Sequence, residues 1–220
     1  MQCGLTPIWI SLQVMLWSSL LLIVIGLPLA WLLSRRRWWG QGLLEVVVTL
    51  PLVFPPIAIG FFLLLILGRD GWVNNLLPEG FQLELIFSFT ALVLASVIAG
   101  LPLMIKPIQA AWQSETSQLV EASYGLGKTP WLTFWHITLP SIAPAVAAGL
   151  TLGVGRGMGE VGMSLMLGGN LVGQTDTLSL AIYNSVLDGD FDCAMQFTWI
   201  LAGIALTLFV VLRRLGQRRF

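Results

Sequence analysis

EASYGLGKTPWLTFWHITLP, residues 121–140, is a polar, kinked island in a chain that is otherwise almost continuously apolar. The segment from Glu115 to Leu126 suits a short amphipathic helix that Gly127 stops. Pro130 bars backward extension of a second helix, and Pro140 opens the next apolar run. Trp131, Phe134 and Trp135, with Trp112 upstream, are poor residues for a floppy linker. A helix, a glycine turn and a second short helix at the membrane surface make a projecting knuckle. The competing reading is an interfacial helix lying flat on lipid headgroups.

Outward from the island, composition sets the class. Of 220 residues 56% are hydrophobic and 10% charged, which leaves too little polar surface for a soluble domain. The chain reads as an all-α integral membrane protein forming a single transmembrane domain over residues 1–220. Predicted spans cover 8–33, 43–67, 85–105, 142–167 and 194–212, each long enough to cross hydrocarbon. Thr6 and Pro7 suit the cap and first turn of span one, which Arg35, Arg36 and Arg37 end. Pro51, Pro55 and Pro56 interrupt span two, where each removes a backbone donor and bends the helix. A loop with Asp70, Glu79 and Glu84 follows, and Lys106 and Pro107 are expected to close span three. The long polar connection, 107–140, leads to a glycine-rich fourth span. A loop with Asp176, Asp188, Asp190 and Asp192 precedes the fifth, which Arg213, Arg214, Arg218 and Arg219 end.

The side that keeps the basic residues is normally the cytoplasm. Arg35 to Arg37, Lys106, Lys128 and the four C-terminal arginines share one side, and Arg69 stands alone on the other. The N-terminus is therefore expected outside, the C-terminus in the cytoplasm, and the island between spans three and four in the cytoplasm. Zero formal net charge, without a clustered basic face, excludes nucleic acid as a partner. The N-terminus lacks the marks of a cleaved secretory signal, so its apolar run is expected to remain a span. Cys3 and Cys193 both fall on the outer side, where a disulfide can form. Nothing in the sequence places them together, and the reading leaves open whether they pair. No metal-ligand spacing and no nucleophile with its base is present in the pattern of His, Cys, Ser and Asp.

Here the chain resembles the inner-membrane permease subunits of ATP-binding cassette importers. Their cytoplasmic loop carries Glu-Ala-Ala, three residues, Gly, nine residues, Ile, one residue and Leu-Pro. This sequence has Glu121, Ala122, Ser123, then Gly127, then Ile137, Leu139 and Pro140, with both gaps matching and Ser123 a small-for-small departure. The resemblance implies that these seven residues belong to a coupling helix that docks into an ATPase subunit. Gly-Leu-Gly-Lys-Thr, residues 125–129, imitates a phosphate-binding loop. However, Ala122 stands where its first glycine should be, no strand precedes it, and Pro130 occupies the start of the required helix. ATP is then expected on the partner, with no cofactor bound by this chain.

The resemblance extends further and narrows the cargo. Leu50-Pro51-Leu52 with Pro55-Pro56, and Gly68-Arg69-Asp70-Gly71, look like molybdate permeases. Arg156 to Gly162 with Gly168-Gly169-Asn170 resembles a pattern shared by molybdate and sulfate permeases. Thr177 to Tyr183 is close to the molybdate branch, with Ser179 in place of Pro and Gly168 in place of Ala. The implied function is an ATP-driven oxyanion importer in the cell inner membrane, for molybdate, with tungstate or sulfate as alternatives. The implied partners are a pair of cytoplasmic ATPases, a second permease copy, an extracytoplasmic oxyanion-binding protein and the bilayer.

Arg156 and Glu160 read as the one intramembrane ionisable pair. Each alone would cost about 2.5 to 3.5 kcal/mol at a helix centre, and i, i+4 spacing puts them on one face. With Pro55, Pro56 and Asn170 they are the candidate translocation-path or gate residues. The alternative for the pair is a structural clamp. Gly149, Gly153, Gly155, Gly157, Gly159 and Gly162 imply close helix packing along the fourth span. His136 reads as packing, and the tryptophans near span ends as an interfacial belt. A self-contained secondary transporter or channel would call for several intramembrane acids or an internal repeat, and neither is legible.

Overall fold

Long unbroken apolar runs become helices because, in hydrocarbon, each backbone N–H and C=O must be satisfied within its own segment. A computed structural model describes residues 3–34, 38–69, 71–76, 78, 84–113 and 115–217. Arg35 to Arg37, Asp70, Glu79, Arg218 and Arg219, used above to end spans or mark loops, lie outside the described residues. Among the described residues the secondary structure is helical, without strands, and five helices are long and apolar enough to cross a membrane.

The elements in order are α1 (Thr6–Ser34), α2 (Gln41–Val53), α3 (Pro56–Leu67), α4 (Trp72–Leu76), α5 (Phe89–Gln113) and α6 (Glu115–Gly125). After these come α7 (Pro130–Thr133), a π-helical turn (Phe134–Thr138), α8 (Leu139–Met158), α9 (Gly162–Gly168), α10 (Leu178–Leu187) and α11 (Phe191–Gln217). The centre is α5, packed between α1 and α8. Leu22, Leu33, Leu92, Met104, Ile105, Ile108 and Val154 are fully enclosed there. A second apolar cluster, with Ile59, Ala95, Ala99, Met163 and Leu167, joins α3 and α9 to α5.

Glycines set the closest approach. A Cβ on Gly149 would stand 2.6 Å from the Met104 carbonyl oxygen, and one on Gly153 2.9 Å from that of Gly100. The backbones of α5 and α8 meet where side chains are missing, which is how helices associate in lipid.

Several expected boundaries move. The run 43–67 is two helices, because Phe54 is extended (φ −82°, ψ 141°) and Pro56 starts α3 afresh. Pro107 does not close the third span. α5 begins at Phe89 and runs through Pro102 and Pro107 to Gln113, so the first part of the expected loop 107–140 is helix. The fourth span begins at Pro130 and not at 142, since α7, the π turn and α8 follow one another without a gap. It stops at Met158, and 159–161 separate it from α9. The segment between the fourth and fifth spans, expected as loop, contains α10. Thr177 caps it, with Oγ1 accepting from the Leu180 N–H at 3.4 Å. Finally, Cys3 and Cys193 are not apart. They form a disulfide, Cα to Cα 5.8 Å, beside an apolar cluster of Ile8, Leu178, Ala181 and Phe197.

Candidate functional site: the knuckle and the paired helix breaks

The knuckle starts where α6 ends. Gly127 takes φ +74°, which a residue with a Cβ adopts poorly. The Lys128 N–H then donates to the Ser123 carbonyl at 3.1 Å and the Gly127 N–H to that of Tyr124 at 3.0 Å. These two bonds make a Schellman closure. Glu121 and Ala122 lie on the exposed side. Ser123 points inward: its hydroxyl donates to the Val120 carbonyl at 2.9 Å and meets the Thr133 hydroxyl at 2.8 Å, both side chains buried. The departure from Ala at this position thus adds a polar clasp between the two arms of the knuckle.

The second arm is rigid. Pro130 fixes the first turn of α7, and the aromatic rings of Trp131, Phe134 and Trp135 meet edge to face at 5.6 and 5.5 Å. Ile137, Leu139 and Pro140 lie within the continuous helical rod from Pro130 to Met158. At 1.5 Å per residue it is about 43 Å long. Under the knuckle a cleft of about 620 Å³ opens between it and the C-terminal ends of α1 and α5, lined by Leu27, Trp31, Trp112, Tyr124 and Phe134 among others.

The far end of the rod carries Arg156, whose Nη1 lies 2.7 Å from Glu160 Oε2. Glu160 is 2% exposed and uses its other oxygen to accept from the Met163 N–H at 2.9 Å. The carboxylate therefore stitches the α8–α9 break shut from both sides, and the clamp reading describes its contacts. Arg156 keeps about a third of its surface open, at 32%. Arg156→Met should destabilise the protein by about 3 to 5 kcal/mol, the cost of stranding a buried charge. Glu160→Gln should cost less, because an amide oxygen still accepts from Met163. Thermal unfolding in detergent of the two variants and of their combination, expected to recover much of the loss, checks this.

The two breaks are neighbours. A Cβ on Gly162 would sit 3.0 Å from the Ile57 nitrogen, so the Pro55–Pro56 break of the second span abuts the start of α9. Asn170 is not brought to this junction. It sits past the end of α9 at φ +51°, and its amide exchanges two hydrogen bonds with that of Asn184 on α10, at 2.7 and 3.0 Å. α10 is tied inward as well: the Leu178 N–H donates to Ser11 Oγ at 2.7 Å, and the Ser179 hydroxyl to the Met158 carbonyl at 2.6 Å. In the loop before it, burial raises the Asp176 carboxyl above the ordinary carboxylate range, against the lowering effect of the Gly173 N–H that donates to it at 3.0 Å.

Sequence reading also missed a second ion pair in the apolar helices, so Arg156–Glu160 is not alone. Glu45 of α2 meets Lys106 of α5 at 2.6 Å. A glutamate inside a predicted span was the available signal.

Residues 22–220 match the family model of the binding-protein-dependent transport system inner membrane component. The molybdenum transport system permease protein ModB of Azotobacter vinelandii is 35% identical over 98% of this chain and 95% of its own length. The probable sulfate transport system permease protein cysT of Chlorella vulgaris is 28% identical over 96% of this chain and 79% of its own. In the crystal structure of a bacterial alginate ABC transporter in complex with its pentasaccharide-bound periplasmic protein, one chain superposes with TM-score 0.75 at 21% identity. That match covers 99% of this chain and 80% of the other, and it bears on the fold alone.

Proposed function

Since the chain belongs to the family of binding-protein-dependent transport system inner membrane components, we propose that it is the permease of an ATP-driven importer whose cargo is molybdate. The observation that carries the cargo is the near-full-length identity to a molybdenum permease, 35% against 28% for a sulfate permease over similar lengths of this chain. A separate ATPase pair docks on the knuckle, an extracytoplasmic binding protein delivers the anion, and a second permease copy completes the path. Broad apolar faces support the second copy, since the fifth span and the α3–α4 span are scarcely buried within one chain.

The mechanism follows from the rod. Force applied at Gly127 and Glu121 reaches the paired breaks through helix that runs without a gap from Pro130 to Met158, past the π turn and Pro144, and the cleft beneath the knuckle leaves it room to tilt. At the far end, Arg156 and Glu160 couple the rod to α9, and α9 to the Pro55–Pro56 break. The chain moves an ion and makes no bonds; ATP is hydrolysed on the partner.

Uptake of labelled molybdate into proteoliposomes holding permease, ATPase and binding protein tests the reading. Strong competition by excess molybdate and weak competition by sulfate is the expected outcome. Uptake without the ATPase would instead make the chain a secondary transporter.

The disulfide supports placing the N-terminus outside, because such bonds persist in oxidising compartments and not in the cytosol. Protein isolated under thiol-blocking conditions should give no alkylation at Cys3 or Cys193 by mass spectrometry until it is reduced. Free thiols in that protein would count against the outside placement.

A further inference from the structure

α2 is held to the rest of the protein unlike any other apolar helix described. Val48 is its one buried residue. Leu44 packs half-buried against the same apolar core, and the other ties are polar: the Gln41 amide donates to the Leu33 carbonyl at 2.8 Å, and Glu45 pairs with Lys106, both side chains about 40% exposed. Beyond the Phe54–Pro55 break the situation reverses. α3 is wedged against α9, where a Cβ on Gly60 would fall 2.9 Å from that of Met166 and 3.1 Å from the Met163 Cα. Consecutive helices of one predicted span thus belong to different neighbours, α2 to α5 and α3 to α9, with an extended residue and two prolines between them.

With one buried residue, α2 has little packing to lose on tilting, and the pair with Lys106 is the specific tie that a tilt away from α5 would give up. A pair at two-fifths exposure contributes modestly, so thermal motion and a partner's push can both open it. With the pair open, the extended Phe54 and the Pro55–Pro56 break are the place about which α2 would swing away from α5.

We propose that Glu45–Lys106 is a latch that holds α2 against α5 at the cytoplasmic end, and that it opens once in each transport cycle. Glu45 and Lys106 are thus positioning residues for transport: they set the resting population of α2 without touching cargo. The proposal rests on the importer reading above.

The test uses the complete complex of permease, ATPase and binding protein in proteoliposomes. It reads ATP hydrolysis without cargo and molybdate taken up per ATP. Glu45→Gln and Lys106→Gln should each raise cargo-free hydrolysis about 2- to 5-fold, the population shift expected from losing a half-exposed pair. The swap Glu45→Lys/Lys106→Glu should bring it back toward wild type, which assigns the leak to loss of the pair and not to either side chain alone; a merely structural role would lower the amount of assembled complex without raising hydrolysis per complex. Wild-type coupling in both single variants, or a swap as leaky as the singles, overturns the latch while normal wild-type uptake leaves the importer reading standing. A wild-type complex that takes up no oxyanion overturns that reading itself. Should the neutral variants fail to accumulate, Glu45→Asp keeps the charge and shortens the reach. A smaller rise in leak is expected there, and its absence counts against the latch.

Discussion

Gly127→Val is expected to reduce ATP-driven uptake by more than about tenfold while leaving the protein in the membrane at normal level. Space is not the reason, since nothing lies within 4 Å of the position a Cβ would take. The reason is backbone conformation. At φ +74° a β-branched residue is strained by about 1 to 3 kcal/mol, and the turn relieves this by giving up the two hydrogen bonds to Ser123 and Tyr124. The arms then separate, the Ser123–Thr133 clasp opens, and the rod loses its fixed bearing on the partner. Gly127→Asn supplies the control, because asparagine tolerates the left-handed region and should keep most of the uptake. Equal loss in both variants would show that something other than conformation is at stake. Normal uptake in the valine variant would remove the knuckle from the coupling path.

Gly100→Leu should act at an earlier stage, by destabilising the fold by about 3 kcal/mol or more and depleting the protein from the membrane. A Cβ at Gly100 would lie on the carbonyl group of Gly153, which is backbone of the facing helix and cannot rotate away. α5 and α8 would have to move apart, and Leu22, Met104 and Val154, enclosed where α1, α5 and α8 converge, would lose contact together. Gly155→Ala on the facing helix, α8, points into open space and should be neutral. Quantitative detection of membrane-inserted protein, with detergent melting of what remains, separates the two substitutions. Together they distinguish glycines kept for close approach from glycines that merely lower bulk.

Much of this architecture can be read from residue order. Twenty-odd apolar residues in a row can satisfy their backbone only as helices, so the number of spans and the knuckle's position between the third and fourth follow from the lengths of the apolar runs. Gly127 was legible for the same reason, because a glycine between a short amphipathic helix and a proline has few other uses. Helix breaks were harder. Pro102 and Pro107 lie inside α5, whereas Pro55 and Pro56 split the second span, and the same residue type gives both outcomes. What decides is whether neighbours hold the flanking turns, and α5, enclosed on several sides, is held. The 159–161 break carries no proline at all and shows itself only through Glu160 capping the next helix. The Glu45–Lys106 and Cys3–Cys193 contacts join positions 61 and 190 residues apart. Periodicity and spacing say nothing about such pairs. They appear once the helices are packed.

The bond between Cys3 and Cys193 gives the chain an unusual connectivity. It closes a covalent ring that contains α1 to α10, the knuckle included, and leaves α11 as a tail leaving the ring at its closure point. A linear membrane protein cut once falls into two pieces held only by packing. Here one cut anywhere inside the ring opens it without releasing a fragment, so a nick in an exposed loop leaves a single covalent molecule of unchanged mass apart from one added water. The Cys3 end of the first span and the Cys193 end of the last thus cannot drift apart, whatever the knuckle does at the opposite end of the first span.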